Sequence, residues 1–213
     1  MFTPYTWNRG DCQEVTTKTG YHHGDLCAAL IDAGLQLTRI GGPEALTVRE
    51  ATRRVGVSPN AAYRHFADRE ALLRAVAIAI GDRMAARMVT PLARRGSAQT
   101  RARNQLRAVG LGYIGFALDE PGWFTVAFFG AGVVAVDGGV PPPFQALVDA
   151  LDAMTDAGVL QPSRRAGAEW PCWSAVHGFA ELALRGPLHG APRSDLDALA
   201  QRTVDDIIAG LLR

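Results

Sequence analysis

Between positions 60 and 69 the sequence gathers an amide, a phenol, two guanidinium groups and an imidazole: Asn60, Tyr63, Arg64, His65 and Arg69. The cations and the phenol suit phosphate oxygens, and an amide can pair bidentately with adenine, so the chemistry on offer is recognition of a nucleic acid rather than bond-breaking. A second pairing, His177 and Glu181, is spaced by one helical turn. That spacing would serve a metal ion or acid–base catalysis. No H-E-x-x-H, G-x-S-x-G or phosphate-binding glycine loop accompanies it, so the favoured reading is a structural or ligand-orienting hydrogen bond. A metal-dependent enzyme using His177 and Glu181 is the weaker alternative, and neither a metal nor a cofactor is expected.

The polar cluster needs short, well-placed helices to present it. Val48, Ala51 and Val55 form an apolar stripe over 47–55, and Thr47-x-x-Glu50 has the form of a capping box. Gly56 supplies a tight turn, Val57 points back to the core, and Ser58 followed by Pro59 is an N-cap and first-turn pair. On the helix so started, Ala62 and Phe66 face inward, which leaves Pro59, Asn60, Ala61, Tyr63, Arg64 and His65 mainly outside. Two short helices joined by a glycine turn are a helix-turn-helix, whose second helix enters the major groove. Over 47–69, five arginines stand against Glu50 and Asp68, a local charge of +3 in a chain whose net charge is only +1. An ordinary helical bundle with a solvated basic face would also fit the pattern alone.

Elsewhere helical periods recur and strand alternation does not. Leu26, Leu30, Ala33, Leu37 and Ile40 form one stripe, stopped by Gly41-Gly42-Pro43. Longer helical stretches are expected over 69–95 and 98–118, Pro121 opens another helix, and "GAGVVAVDGGVPPP" at 130–143 interrupts the pattern before further helical segments. The fold class read from this is all-α without internal repeats. The composition, 48% hydrophobic and 20% charged, is that of a soluble globular protein. Cys12, Cys27 and Cys172 are odd in number, widely spaced and without C-x-x-C, which argues against a disulfide framework or a zinc site. There is no apolar leader at the amino terminus and no run of about 20 apolar residues, so a cytoplasmic protein without membrane association is expected.

The run "ALTVREATRRVGVSPNAAYRHFADREALLRAV" resembles the DNA-binding domain of the TetR/AcrR family of bacterial transcriptional regulators. Upstream, "YHHGDLCAALIDAGLQL" resembles the family's first helix. Downstream, "WSAVHGFAELALRG" resembles the Trp-His-Gly motif of one branch's regulatory domain. The resemblance implies a three-helix helix-turn-helix domain over 21–68 and a larger helical ligand-binding and dimerisation domain over 69–213; residues 1–20, polar and without periodicity, read as a disordered arm. It also implies the DNA contacts: Thr47 and Arg49 at the backbone or an adjacent base, Pro59, Asn60 and Ala61 at base-reading positions, and Tyr63 and His65 on phosphates. Arg69 stands where the family usually has lysine, at a phosphate. The resemblance implies a regulator released from DNA by a ligand; two-fold symmetry adds a near-palindromic operator bound by a homodimer, the aromatic residues of the second half a small, largely apolar effector, and the lack of a separate polymerase-contacting domain a repressor. A helix-turn-helix architectural protein without an effector is the alternative.

The regulatory half then has to dimerise and to sense. Trp173, Val176, Ala180 and Leu184 form one stripe and Leu196, Leu199, Thr203, Ile207 and Leu211 another. Val176, Ala180, Leu184 and the second stripe are the candidate dimer interface. Tyr113, Phe116, Trp123, Phe124, Phe128, Trp173 and His177 are the candidate ligand-binding residues, because aromatic walls with few polar groups hold small apolar molecules; ordinary core is the competing reading for each ring. Gly110, Gly112 and Gly115 interrupt the 98–118 helix. Either neighbouring helices approach closely there or the missing side chains leave room for a ligand.

Overall fold

A computed structural model describes residues 23–89, 96–130 and 140–213. The arm expected over 1–20, the end of the helix expected to run to 95, and most of the 130–143 interruption lie outside the described residues. Those residues form an all-α fold: α1 (His23–Gly41), α2 (Val48–Val55), α3 (Pro59–Ala62), α4 (Arg69–Met88), α5 (Ala98–Asp119), α6 (Pro121–Phe129), α7 (Pro142–Asp156), α8 (Glu169–Arg185) and α9 (Arg193–Leu211). Short 3-10 turns at Pro43–Ala45 and Pro162–Arg164 complete the elements.

The chain divides into two compact units, with boundaries after Ile80, Asp119 and Val140. The first contains α1 to α3, the first part of α4, and α6. The sequence-based division at 68/69 had assigned α6 to the regulatory half, whereas α6 packs on α1 and on the Pro43–Ala45 turn. The reason is local and steric. A Cβ on Gly122 would lie 2.3 Å from the Arg39 carbonyl oxygen and 2.4 Å from that of Thr38, so only glycine allows this backbone approach. Around it, Arg39 Nε and Nη2 donate to the Glu120 carboxylate at 2.7 and 2.6 Å, Trp123 Nε1 donates to the Leu35 carbonyl at 2.8 Å, and the Arg39 guanidinium lies 5.4 Å from the Trp123 ring centroid.

On α1 the buried face is offset from the expected stripe. Leu30 and Ala33 are in the core as expected, but Ile40 is 94% exposed, while Cys27, Leu35 and Thr38 are buried. Thr38 escapes the cost of burying a hydroxyl because it donates to the Gly34 carbonyl at 2.8 Å. Gly34 in turn lets Val76 of α4 approach closely.

In the second unit α5 is the central helix, packed against α7, α8 and α9, with α8 also against α9. Its buried positions, among them Leu106, Val109, Tyr113, Phe116 and Ala117, recur at three- and four-residue steps, the spacing of one helix face. Gly112 sits where the last turn of α4 crosses: a Cβ there would lie 2.7 Å from Met88 Cα and 3.0 Å from the Arg87 carbonyl oxygen. Asp119 fixes the same corner through hydrogen bonds from Arg87 and Arg193.

Candidate nucleic-acid interface and apolar cavity

The helix-turn-helix forms as the sequence predicts, with two changes of detail. Thr47 caps α2, its hydroxyl accepting from the Glu50 amide at 3.1 Å. The reciprocal half of the capping box is not made; the Glu50 carboxylate instead accepts from Arg53 at 2.8 and 2.7 Å and from Arg54 at 3.4 Å. Hydrogen bonding from Arg53, opposed by desolvation and helped by Arg54, holds Glu50 down at about 2. Gly56 closes the helix with φ 77°, a left-handed conformation that favours glycine, and the Val57 amide donates back to the Thr52 carbonyl at 3.0 Å. Ser58 is the N-cap of α3 by position but makes no side-chain capping bond, and Pro59 takes the first turn.

The second helix is a single turn, Pro59–Ala62, extended by amides of His65 and Phe66 that donate to the Ala62 carbonyl at 2.9 Å. Ala62 and Phe66 are buried, as the spacing requires. Thr47, Arg49, Pro59, Asn60, Tyr63 and Arg64 are exposed, while Ala61 and His65 are half-buried. Of the cations, Arg53 and Arg54 pair with Glu50, whereas Arg49 and Arg64 make no ion pair among the described residues. Arg69 does not face outward as expected: its guanidinium donates to the Leu46 carbonyl at 2.7 Å, the Pro43 carbonyl at 2.5 Å and Glu70 at 2.6 Å. These bonds reach carbonyls at the start of the 3-10 turn and just past its end, so the side chain holds the loop ahead of α2 to the start of α4.

The second unit holds a partly open cavity of about 20 Å³. Tyr113 and Trp173 line it, joined by Met88, Leu106, Val109, Gly110, Leu147, Cys172, Val176, Val204, Ile207 and Ile208. Phe116 is buried but does not line it, and Trp123, Phe124 and Phe128 belong to the first unit, where Phe124 and Phe128 stack with centroids 4.8 Å apart. Of the expected aromatic set, Tyr113 and Trp173 line this cavity, and α6, which carries Trp123, Phe124 and Phe128, packs on α1 within the first unit. Gly110, expected to leave room for a ligand, lines the cavity; the other lining residues outside the expected aromatic set are aliphatic apart from Met88 and Cys172, and each helix supplies a helical step: 106, 109, 110 and 113 on α5; 172, 173 and 176 on α8; 204, 207 and 208 on α9.

His177 lies behind this wall, its Nδ1 2.8 Å from the Tyr113 hydroxyl. Burial holds the imidazole below its usual range, partly countered by Glu181, and burial with the Glu181 charge pushes the Tyr113 phenol well up. Glu181 itself accepts from Arg185 at 3.1 Å. Burial also raises the Cys172 thiol to about 11. Among the described residues no group of three or more His, Cys, Asp or Glu is placed to hold a metal ion.

The candidate dimer stripes divide as well. Val176, Ala180, Leu196 and Leu211 are buried within the chain, Leu184, Thr203 and Ile207 are half-buried, and Leu199 is 41% exposed. On α8 the apolar residue most open to solvent beyond the first turn is Leu182, at 46%, which lies outside the expected stripe.

Two family models match this chain: "Bacterial regulatory proteins, tetR family" over residues 30–76 and "Tetracyclin repressor-like, C-terminal domain" over 106–207. The chain belongs to the TetR family. Solved structures agree in fold. A protein of unknown function from Rhodococcus sp. RHA1 is 26% identical, with TM-score 0.69 over 92% of this chain and 100% of that one. A TetR variant from Acinetobacter baumannii AYE in complex with minocycline is 23% identical, with TM-score 0.61 over 86% and 94% of the two chains. A TetR regulator from Streptomyces coelicolor is 20% identical, with TM-score 0.60 over 87% and 98%. No match was found among curated proteins.

Proposed function

We propose that this TetR-family protein is a ligand-responsive repressor that binds a near-palindromic operator as a homodimer. The observation that carries the reading is the α2–Gly56–α3 corner, which leaves Asn60, Tyr63 and Arg64 exposed on the second helix with Arg49 exposed on the first. Asn60 offers the base-reading amide; Tyr63, His65, Thr47 and Arg49 serve the phosphate backbone, which positions without specifying. Arg69 contributes by holding the corner together. Residues 21–68 with α6 form the DNA-reading part in this proposal, and α5 with α7 to α9 the sensing and dimerising part.

For dimerisation, Leu182 and Leu199 are the exposed leucines that α8, beyond its first turn, and α9 offer to a second copy. A two-fold axis would set two recognition helices about 34 Å apart, one turn of duplex. For sensing, the aliphatic cavity supports a small apolar effector; its size and its nearly carbon-only wall do not favour a molecule as large and polar as the minocycline held by the Acinetobacter protein. No described helix is long and apolar enough to cross a membrane, in keeping with a cytoplasmic regulator.

Footprinting on the DNA upstream of the gene, followed by a metabolite screen for release, tests this reading. Protection of an inverted repeat that is lost with some metabolite is the expected result. Binding that persists in every extract would favour an effector-independent architectural protein, and the absence of any protected repeat would remove the operator claim.

A further inference from the structure

The two sides of the cavity differ in how firmly they are held. Toward α4, Gly112 meets the Met88 backbone with no room for a methyl group, and Asp119 ties Arg87 to Arg193. Toward α8 the wall is Trp173, which is only half-buried. Its ring meets Tyr113 edge-on, with centroids 5.0 Å apart, and on another side meets Phe144 at 5.4 Å. Phe144 meets Trp170 at 5.4 Å, and Trp170 is 61% exposed. Rings thus run without a break from solvent to the cavity, and the outermost indole is left in water at the first turn of α8.

A cavity of about 20 Å³ holds little more than a water, so an effector must part the walls. The Tyr113–His177 hydrogen bond ties α5 to α8 here, so room on this side comes from turning the half-buried Trp173 ring and not from separating the helices. We propose that the space between Tyr113 and Trp173 is a binding site for a neutral, single-ring aromatic molecule, admitted when Trp173 turns toward Phe144 and Trp170. The proposal rests on the reading of this unit as a small-molecule sensor. The edge-to-face contact that Trp173 gives up at Tyr113 is one that another aromatic ring can replace in kind, which an alkyl chain cannot do.

Charge is excluded by the surroundings. The titratable groups around the site are Tyr113, Cys172 and His177, all uncharged at neutral pH, Glu181, already held by Arg185, and, beside Cys172, Glu169 and Arg165, which pair with each other. The Arg87 guanidinium near Gly115 is engaged by Asp119. An anionic ring would enter with no cation to meet it, and a cationic ring with no uncommitted carboxylate, so both lose hydration without compensation.

The test compares toluene, benzoate and benzylammonium on the full chain. Toluene at ten times its Kd should raise Tm by about 3 to 6 °C and change tryptophan emission, with no shift from the two ions. Trp173→Phe should remove the emission change, and Val176→Phe or Val204→Leu, which fill the cavity, should remove the Tm shift. Equal stabilisation by either ion, no stabilisation by toluene, or a toluene shift that survives both filling variants would overturn the proposal. Should the variants not fold, the three compounds on the unaltered chain still decide. Operator binding assayed in parallel separates the two ideas. Toluene binding without any operator binding would sink only the regulatory reading, and release of the operator by a charged ligand that ignores toluene would sink only the aromatic site.

Discussion

The Tyr113 hydroxyl and His177 Nδ1, 2.8 Å apart, join α5 to α8 directly behind the cavity wall. With the imidazole neutral and its proton on Nε2, Nδ1 accepts from the phenol, which the raised phenol keeps protonated. Protonating His177 puts a proton on Nδ1 and reverses the bond, the imidazolium then donating to the phenol oxygen.

Burial lowers the His177 pKa on folding, so below its unfolded value of about 6.5 the unfolded chain binds more protons than the folded one. Stability from this group is present above pH 6.5 and is lost as pH falls through the depressed folded value. Thermal unfolding between pH 8 and 5 should show the wild type losing Tm on acidification more steeply than His177→Gln, whose amide oxygen still accepts but does not titrate. Parallel curves for the two proteins would show that His177 carries none of the acid sensitivity.

The glycines of α5 make a graded set. Gly112→Ala drives a methyl group into Met88 Cα at 2.7 Å, a backbone atom, and should cost about 1 to 3 kcal/mol. Gly110→Ala meets Val204 Cγ2 at 3.0 Å and should cost less, since a side chain can give. Gly115→Ala meets only the Arg87 guanidinium at 3.5 Å and should be neutral or stabilising by up to about 1 kcal/mol through helix propensity. Urea unfolding of the three variants checks the order; a Gly112→Ala protein as stable as Gly115→Ala would mean that α4 and α5 do not meet this tightly.

The helix-turn-helix was legible because its signals are local. Thr47, Gly56 and Pro59 act within a turn of themselves, and Ala62 and Phe66 need only helical spacing to find the core. What was not legible depended on partners distant in sequence. Arg69 reads as a free cation until the Leu46 and Pro43 carbonyls are seen beneath it, and the rings of α6 read as a pocket until Gly122 is seen against the Arg39 and Thr38 carbonyls. The α8 and α9 stripes posed a different difficulty. One helix has two sides to fill, and periodicity alone did not say that Val176 and Ile207 face a cavity within the chain while Leu182 and Leu199 face out.

That division gives a prediction about assembly. Leu182→Glu combined with Leu199→Glu places charges on exposed positions, so each chain should keep its helix content and stability while the dimer splits. Leu211→Glu instead buries a carboxylate at a position only 8% exposed and should destabilise the chain by several kcal/mol. Sedimentation and circular dichroism distinguish the cases. A double variant that remains dimeric would place the interface on other residues.

At the DNA-reading corner, the geometry separates three kinds of effect. Asn60 is exposed and has the only side-chain amide on α3, so Asn60→Ala should reduce discrimination at one base pair by about 1 to 3 kcal/mol while leaving non-specific binding nearly intact. Arg49→Ala should weaken binding to all sequences alike and lower the slope of log K against log salt by about 1, the signature of one lost phosphate contact. Arg69→Ala should differ from both: by leaving the Leu46 carbonyl without this donor and the Pro43 carbonyl with the Leu46 amide alone, it should lower Tm first, with operator binding falling as the corner loosens. Titrations at several salt concentrations, on operator and on scrambled duplex, with Tm measured on each variant, resolve the three. An Arg69→Ala protein of unchanged Tm whose salt slope falls by about 1 would return Arg69 to the phosphate backbone and remove its structural role.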